Sequence, residues 1–325
     1  MSRYLITGAA GFIGSALAKR LVNENHQVTT IDNLSTGLRK NIPEGVTFIE
    51  GNTFDKAVIA QLDNVRYDAI FHIAGQSNGI MCWDDPVYDL NSNVTSTLLL
   101  LDYARRTGCP KFIYASSMSV YGDENPCPVR EDDELKPKTF YAVGKLASEH
   151  YMRIYSEEYG IKCTALRFNN VYGPGQNLEN LRQGMVSIYL AYAIKERHIP
   201  VMGDPKRYRD FVYIDDQVDA CIMAANGNEA NLFNVYTTAT NRKTTCEQLV
   251  KMICRELPFE VTVEYSGETK GDQFGIFCSY EKIYNSLGWE PKVSLEQGLK
   301  LMVTWAINDL SISNSVSLPC DQRKD

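Results

Sequence analysis

The feature that most constrains the fold of this chain is the alternation of short β-branched runs with helical patterns through its first half. Strands are predicted at residues 3–7, 27–31, 68–72, 111–116 and 162–168, and helices at 11–25, along a stretch that ends near 107, and at 141–159. Elements that alternate at this spacing form βαβ units around a parallel sheet, with right-handed crossovers covering both faces. The sequence therefore predicts an α/β fold with a Rossmann-type doubly wound parallel sheet.

The pattern changes after Gly173-Pro174-Gly175, where the elements become shorter and more widely separated. We therefore predict a Rossmann domain over residues 1–172 and a smaller C-terminal α/β substrate-binding part over residues 173–307, interleaved with the first. Residues 308–325 are polar, with serine, asparagine and charged residues, and are predicted to form a flexible tail.

Composition excludes several classes of protein. The formal net charge of −7 argues against a nucleic-acid partner, because binding phosphates needs a basic surface. No stretch approaches the roughly 20 apolar residues that cross a bilayer, so no membrane association is expected. Nine scattered cysteines without a CxxC pair argue against a disulfide framework and a metal site. With no secretory signal at the N-terminus, we expect a cytoplasmic protein.

A glycine-rich segment, TGAAGFIG at residues 7–14, lies between the first predicted strand and helix. Gly8, Gly11 and Gly14 permit a tight turn and close approach of a pyrophosphate, and the helix N-terminus supplies amide donors and partial positive charge. Asp32 ends the second strand, where a carboxylate accepts hydrogen bonds from ribose hydroxyls and repels a 2′-phosphate. The pattern predicts NAD rather than NADP as cofactor. The alternative is a tight turn followed by a capping aspartate.

Tyr141 and Lys145 are four positions apart on a predicted helix and therefore share one face. The segment SSMSVYG, residues 116–122, lies at the carboxyl end of the preceding strand, where parallel sheets place ligands. A tyrosine pKa is normally about 10, so Tyr141 needs a cation nearby to act as a base, and Lys145 and a nicotinamide ring can provide it. Ser117 would hydrogen-bond the reacting hydroxyl. The alternative is a surface pair of helix residues.

With these segments and several others, the chain resembles the extended short-chain dehydrogenase/reductases, the family of NAD-dependent nucleotide-sugar epimerases and dehydratases. The resemblance runs from residue 3 to about residue 305. It rests on TGAAGFIG, DNLS (32–35), HIAGQ (72–76), SSMSVYG, the YxxxK spacing of Tyr141 and Lys145, RFNNVYGP (167–174), RDFVYIDD (209–216) and LGW (287–289).

The resemblance implies that Ser117, Tyr141 and Lys145 are catalytic. It implies an NAD site lined by Gly8, Gly11, Phe12, Ile13, Gly14, Asp32, Asn33, Asn52, Thr53, Ala74, Gln76, Tyr141 and Lys145. It implies contacts with a nucleotide-diphosphate sugar from Ser117, Ser119, Asn170 and Arg209. The alternatives are that Asn170 caps a turn and that Arg209 forms a surface pair with Asp210.

Members of this family begin by transferring a hydride from a sugar carbon, usually C4, to NAD⁺. The 4,6-dehydratases carry Asp-Glu directly after the catalytic Ser or Thr, where this chain has Met118 and Ser119. Decarboxylating members carry an acid in the same stretch, so both reactions are disfavoured. The residues present suffice for epimerisation, in which a transient keto-sugar takes the hydride back on its other face. A 4-dehydrogenase or reductase needs the same residues and stays an alternative, as does a non-enzymatic NAD-binding protein.

The chain departs from the family at its second phosphate-binding arginine, which lies three positions before the Asp of a Gly-Asp pair. Here the pair is Gly271-Asp272 and that position is Thr269, with Lys270 beside it. Lysine supplies charge without the bidentate fork of arginine, so the nucleotide base is left open, with UDP as the default.

The resemblance also implies a homodimer in which each subunit contributes two helices. The helical stretches around residues 93–106 and 141–159 have faces consistent with this, which include Leu98, Leu101, Leu146, His150 and Ile154.

Overall fold

The computed structural model of the chain describes residues 1–77, 81–228, 230–267 and 274–316. A seven-stranded sheet forms its centre. The strands are β1 (Arg3–Thr7), β2 (Gln27–Asp32), β3 (Thr47–Glu50), β4 (Ala69–His72), β5 (Lys111–Ser117), β6 (Lys162–Phe168) and β11 (Phe233–Thr238). They are all parallel and lie in the order β3-β2-β1-β4-β5-β6-β11. The predicted Rossmann-type doubly wound sheet is confirmed.

The helices of the first half lie against this sheet. They are α1 (Phe12–Asn23), α2 (Lys56–Ala60), α3 (Met81–Asp84), α4 (Pro86–Leu90), α5 (Ser96–Thr107) and α6 (Phe140–Tyr159). A π-helical turn at Asn91–Thr95 joins α4 to α5, and 3₁₀ turns occupy Arg39–Asn41 and Met118–Tyr121. The sequence did not predict β3, because this short strand at the edge of the sheet is partly exposed and lacks a continuous apolar run.

The order of the strands determines where a ligand can bind. Leu5 and Ile6 in β1, and Ile70 and Phe71 in β4, are fully buried, as expected for strands covered on both faces. The chain winds from β1 towards β3 on one side and from β4 towards β6 on the other. Helices leave β1 and β4 in opposite directions at such a reversal, which opens a crevice at the carboxyl ends of these strands.

The second half of the chain contributes shorter elements around the far end of this crevice. Its helices are α7 (Met185–Glu196), α8 (Ile214–Asn226), α9 (Cys246–Glu256), α10 (Glu281–Leu287) and α11 (Leu295–Val316). Its remaining strands are β7 (Asn170–Tyr172), β8 (His198–Met202), β9 (Tyr208–Arg209), β10 (Phe211–Tyr213), β12 (Thr244–Thr245) and β13 (Thr262–Ser266). They pair as β7 with β10, β8 with β13, and β9 with β12.

The two halves of the chain share one sheet, since β11 from the second half pairs with β6 from the first. Helix α8 also packs against α1. Helix α11 continues to Val316 and so includes the first part of the segment from residue 308, whose flexibility stays a prediction. The helix is anchored by its buried residues Leu299, Met302 and Val303, and extending a helix that is already nucleated costs little. Residues 317–325 lie outside the described part of the chain.

The faces predicted to form a dimer are only partly available. Leu101 is fully buried, because this side of α5 covers the sheet, so its placement between subunits was wrong. Ile154 on α6 is 47% exposed, as an intersubunit contact requires. Among the residues that the structure describes, no helix has the length and apolar character needed to span a membrane.

Candidate active site

A cleft of about 1190 Å³ opens at the carboxyl ends of β1, β2, β4 and β5. Every residue predicted to bind cofactor or substrate, or to be catalytic, lines it. These residues are Gly8, Gly11, Phe12, Ile13, Gly14, Asp32, Asn33, Asn52, Thr53, Ala74, Gln76, Ser117, Ser119, Tyr141, Lys145, Asn170 and Arg209. The structure therefore brings together residues that are spread over two hundred positions of sequence.

The glycine loop forms a floor that side chains would fill. Gly8 has a φ of +81°, and a Cβ atom added to it would lie 2.8 Å from the backbone nitrogen of Ala74. A Cβ atom on Gly14 would lie 2.2 Å from the carbonyl oxygen of Gly8. Gly11 precedes the first residue of α1 and has no side chain to cap the helix. The amide groups at this helix N-terminus therefore face the cleft, as a pyrophosphate site requires.

Asp32 has a structural role besides the predicted one. Its Oδ2 atom accepts a hydrogen bond of 2.9 Å from the Ala10 amide, and its Oδ1 atom accepts one of 2.8 Å from the Leu34 amide. The carboxylate thus fixes the glycine loop against the end of β2. Each carboxylate oxygen has a further lone pair for a ribose hydroxyl. The loop, the helix N-terminus and this carboxylate fit a dinucleotide without a 2′-phosphate.

The sequence analysis missed three cleft residues, Tyr88, Gln183 and Ser77. The Asn33 side-chain amide donates to Asn52 Oδ1 at 2.7 Å and to the Tyr88 hydroxyl at 3.3 Å, so Tyr88 joins the predicted cofactor residues. A signal for its helix existed, because Asp85 caps α4 and Pro86 is its first residue. At the substrate end, the Gln183 amide donates to Ser77 Oγ at 2.7 Å, and both residues line the cleft. No local pattern indicates that contact.

Ser117, Tyr141 and Lys145 meet below the end of β5. Ser117 is the last residue of β5, and its Oγ accepts hydrogen bonds from the Ser119 amide at 3.2 Å and the Ser119 hydroxyl at 3.0 Å. The Ser117 hydroxyl is close enough to the Tyr141 phenol to lower its pKa. The Lys145 ammonium donates to the Ala115 carbonyl at 2.8 Å and lies 5.6 Å from the centre of the Tyr141 ring. The three side chains therefore lie together in the cleft.

The predicted effect of Lys145 and a nicotinamide ring together on the pKa of Tyr141 stays a prediction, and in the protein alone this pKa is raised. Burial, with a smaller contribution from the negative charge of Asp89, raises the pKa of Tyr141 to about 12 against the opposing effect of the Ser117 hydroxyl. Burial also lowers the pKa of Lys145 to about 7, against the opposing effects of Asp89 and Glu149. Both changes follow from removing a charge from water. At neutral pH, therefore, the phenol of the protein alone holds its proton.

The predicted diphosphate contacts lie at the far end of the cleft. Arg209 is buried, and its guanidinium donates to the Tyr208 carbonyl at 2.8 Å, so it is not a surface residue. Its neighbour Asp210 is fully buried and accepts hydrogen bonds from Thr240 instead. The Asn170 amide donates to the Asp210 carbonyl at 3.2 Å. The predicted departure at Thr269, Lys270, Gly271 and Asp272 lies outside the described residues.

No group of histidine, cysteine or acidic side chains in the described ranges is arranged to hold a metal ion.

Comparisons with known proteins find relatives that match nearly the whole chain. A sequence model of the NAD dependent epimerase/dehydratase family matches residues 4–236. A putative UDP-glucose 4-epimerase of Methanocaldococcus jannaschii is 32% identical over 94% of this chain and 98% of its own length. The structure of UDP-glucose 4-epimerase with UDP-glucose from Thermotoga maritima is 33% identical, with a TM-score of 0.91 over 95% of this chain and 99% of that one. The Thermus thermophilus UDP-glucose 4-epimerase in complex with NAD is 30% identical, with a TM-score of 0.87 over 94% and 98% of the two chains.

Proposed function

Because the chain belongs to the NAD-dependent epimerase/dehydratase family, we propose that it interconverts two UDP-sugars that differ in configuration at C4. One observation carries the choice among the family's reactions. Ser117, Tyr141 and Lys145 meet in the cleft, while Met118 and Ser119 occupy the positions where dehydratases carry two acids. Neither side chain can donate a proton to a leaving hydroxide, so elimination of water has no catalyst there.

The cofactor end of the cleft supports binding of NAD. Gly8, Gly11, Phe12, Ile13 and Gly14 would hold the pyrophosphate against the N-terminus of α1. The Asp32 carboxylate would accept hydrogen bonds from the adenosine ribose hydroxyls and would repel the 2′-phosphate of NADP. The remaining cofactor contacts in this proposal come from Asn33, Asn52, Thr53, Ala74, Gln76, Tyr141 and Lys145. A bound NAD would supply the reversible hydride chemistry at C4 of the sugar.

The side chains of the protein would transfer the proton of the C4 hydroxyl and orient the sugar. Ser117 would hydrogen-bond the C4 hydroxyl and align it with the oxygen of Tyr141, which as phenolate would take up the hydroxyl proton and, as the resulting phenol, later return it. Lys145 supplies the positive charge that favours the phenolate form of Tyr141. Asn170 and Arg209 would hold the diphosphate while the keto-sugar rotates within the cleft. Ser119 donates to Ser117 and thereby leaves the Ser117 proton free for the substrate or the phenol.

The proposed reaction is tested by proton NMR of the purified protein with NAD and UDP-galactose, UDP-glucose or their N-acetylated counterparts. We expect one such pair to reach the same equilibrium mixture from either side, without accumulation of NADH. Stoichiometric NADH would instead identify a 4-dehydrogenase, and NAD binding without turnover of any sugar in the panel would identify a non-enzymatic protein. Either result contradicts the proposal.

We further propose a cytoplasmic homodimer. Exposed apolar side chains cover the outer surface of α3, α4 and α6, which we call the α4–α6 patch: Trp83, Val87, Leu90, Phe140, Val143, Tyr151 and Ile154. A contiguous apolar surface of this kind is typical of a subunit interface. The cysteines among the described residues are free thiols, which suits a reducing compartment.

Replacing Val143 by glutamate should convert the dimer to a monomer. Val143 is 52% exposed at the middle of the α4–α6 patch, and a buried, unpaired carboxylate there opposes association. Sedimentation velocity measures the change. Leu301→Glu is the matched control, because Leu301 is similarly exposed on α11, away from this patch, and should leave the dimer intact. A Val143→Glu variant that sediments as a dimer would contradict this interface.

A further inference from the structure

The Lys145 ammonium lies in an almost fully buried position and is 3% exposed. Charged and titratable groups face it from four surrounding elements: His72 of β4, Tyr114 of β5, Asp89 of α4, and Tyr141 and Glu149 of α6. His72 is neutral, since burial lowers its pKa to about 3. A buried ammonium is unfavourable unless a negative charge lies near it. The carboxylates of Asp89 and Glu149 are the groups that can supply that charge.

Glu149 is already paired with another cation. Both of its oxygens accept hydrogen bonds from the Arg167 guanidinium, at 3.0 and 2.7 Å. The hydroxyl of Ser116 donates to the same carboxylate. A carboxylate held in this way is largely neutralised by its own arginine. Asp89 is thus the remaining carboxylate that can balance the positive charge of Lys145.

Asp89 lies against the helix turn that carries Lys145. It is 1% exposed although it belongs to a five-residue helix near the surface. A Cβ atom added to Gly144 would lie 3.6 Å from Asp89 Oδ2 and 3.4 Å from Asn93 Cβ, so the missing side chain permits the approach. The Asn93 amide donates to Asp89 Oδ1 at 3.3 Å and holds the carboxylate in place.

Asn93 connects the carboxylate to the ammonium. A Cβ atom added to Gly75 would lie 2.6 Å from Asn93 Oδ1 and 3.3 Å from Lys145 Nζ, so both atoms face the same point. Asn93 Oδ1 is buried and has no hydrogen-bond partner among the described residues. The side chains of Asp89, Asn93 and Lys145 therefore form a continuous buried polar group behind Tyr141.

We propose that Asp89 is a positioning residue for the epimerisation, because it is the counter-ion that keeps Lys145 charged behind Tyr141. This assignment rests on the proposed function. It explains why an aspartate is buried on α4, and why a glycine precedes Lys145.

The assignment sets the sign of a pH effect. Burial raises the pKa of Asp89 to about 6, and the charge of Lys145 opposes that rise. The negative charge of Asp89 raises the pKa of Lys145, of Tyr141 and of the nearby Cys82 thiol. Turnover needs an ionised Tyr141 and a protonated Lys145, so the pKa values of these two groups together set the acid and the alkaline limb of the profile. Removing the carboxylate lowers the pKa of both groups.

The variant Asp89→Asn tests this in a pH profile of kcat/KM for the UDP-sugar that the wild type converts. Both limbs should move to lower pH, by about 1–3 pH units for a charge at this separation. Asp85→Asn is the matched control, since Asp85 caps the same helix from an exposed position and asparagine caps equally well. Its limbs should not move. A slower Asp89→Asn variant with unmoved limbs would reduce Asp89 to a structural role and overturn the proposal.

A second test does not depend on turnover and compares the melting temperatures of Lys145→Met and of the double variant with Asp89→Asn. It shows whether Asp89 acts as the counter-ion of Lys145 even if Asp89→Asn alone does not fold. Lys145→Met leaves the Asp89 charge without a counter-ion, so adding Asp89→Asn to it should leave the Tm unchanged or raise it. A further fall in the Tm of the double variant would show that the carboxylate acts without Lys145, and would overturn the proposal. If the wild type converts no UDP-sugar, the proposed function fails while this comparison still tests the pair.

Discussion

Replacing Tyr141 by phenylalanine lowers turnover by about 10²–10⁴-fold, the range that general acid–base catalysis contributes. The ring and its packing stay, but the hydroxyl that takes up the substrate proton is lost. The affinity for NAD should stay close to that of the wild type, because the glycine loop and Asp32 are untouched. Turnover is measured by NMR at saturating UDP-sugar, and NAD affinity by isothermal titration calorimetry.

Tyr159→Phe is the matched control for this variant. Tyr159 is the last residue of the same helix, α6, and is exposed outside the α4–α6 patch, so removing its hydroxyl should leave turnover unchanged. Turnover by Tyr141→Phe at near the wild-type rate would remove Tyr141 as the proton acceptor. Loss of NAD affinity in Tyr141→Phe would instead assign the residue to cofactor binding.

Replacing Arg167 by methionine should lower the free energy of unfolding by about 3–5 kcal/mol, the typical cost of breaking a buried ion pair. The Arg167 guanidinium contacts Glu149 through two hydrogen bonds, and both side chains are almost fully buried, at 4% and 3% exposure. Without the arginine, Glu149 is left as an uncompensated buried charge beside the end of β5. Urea denaturation measures the loss.

Two further variants separate charge from packing at this pair. Arg153→Met removes an exposed partner of Glu157 on α6, at 3.9 Å, and should cost almost nothing, as surface pairs do. Adding Glu149→Leu to Arg167→Met should recover part of the loss, since no charge is then buried alone. An Arg167→Met variant as stable as the wild type would contradict the structural role given to this pair.

Much of the fold follows from local pattern. Strands predicted at residues 3–7 and 162–168 coincide with β1 and β6, which are buried along nearly their whole length, as strands covered on both faces are. The pairing of β11 with β6 could not be predicted from the sequence, because strand order depends on contacts between residues that are far apart along the chain. The end of the last helix was also missed, because a polar composition does not by itself stop a helix.

The candidate site was predictable as far as its motifs reach. The functional residues of the glycine loop are close together in the sequence, and so are Tyr141 and Lys145, so each motif could be recognised locally. The residues of both motifs line one cleft. The sequence could not predict that the pKa of Tyr141 is raised. The two causes, burial of the phenol and the nearby charge of Asp89, arise from the packing of α4 against α6. Asp89 and Tyr88 were missed for the same reason: a five-residue helix has too few turns for periodicity to reveal its buried side.

The central claim is that Tyr141 and a bound dinucleotide act on the same sugar carbon, which regains its own hydrogen on the opposite face. The most direct measurement uses the converted UDP-sugar deuterated at C4, in light water, with the product examined by NMR and mass spectrometry. We predict an epimer that keeps its deuterium at C4, with no exchange into solvent. Loss of the label to water in the epimerised product would contradict this account.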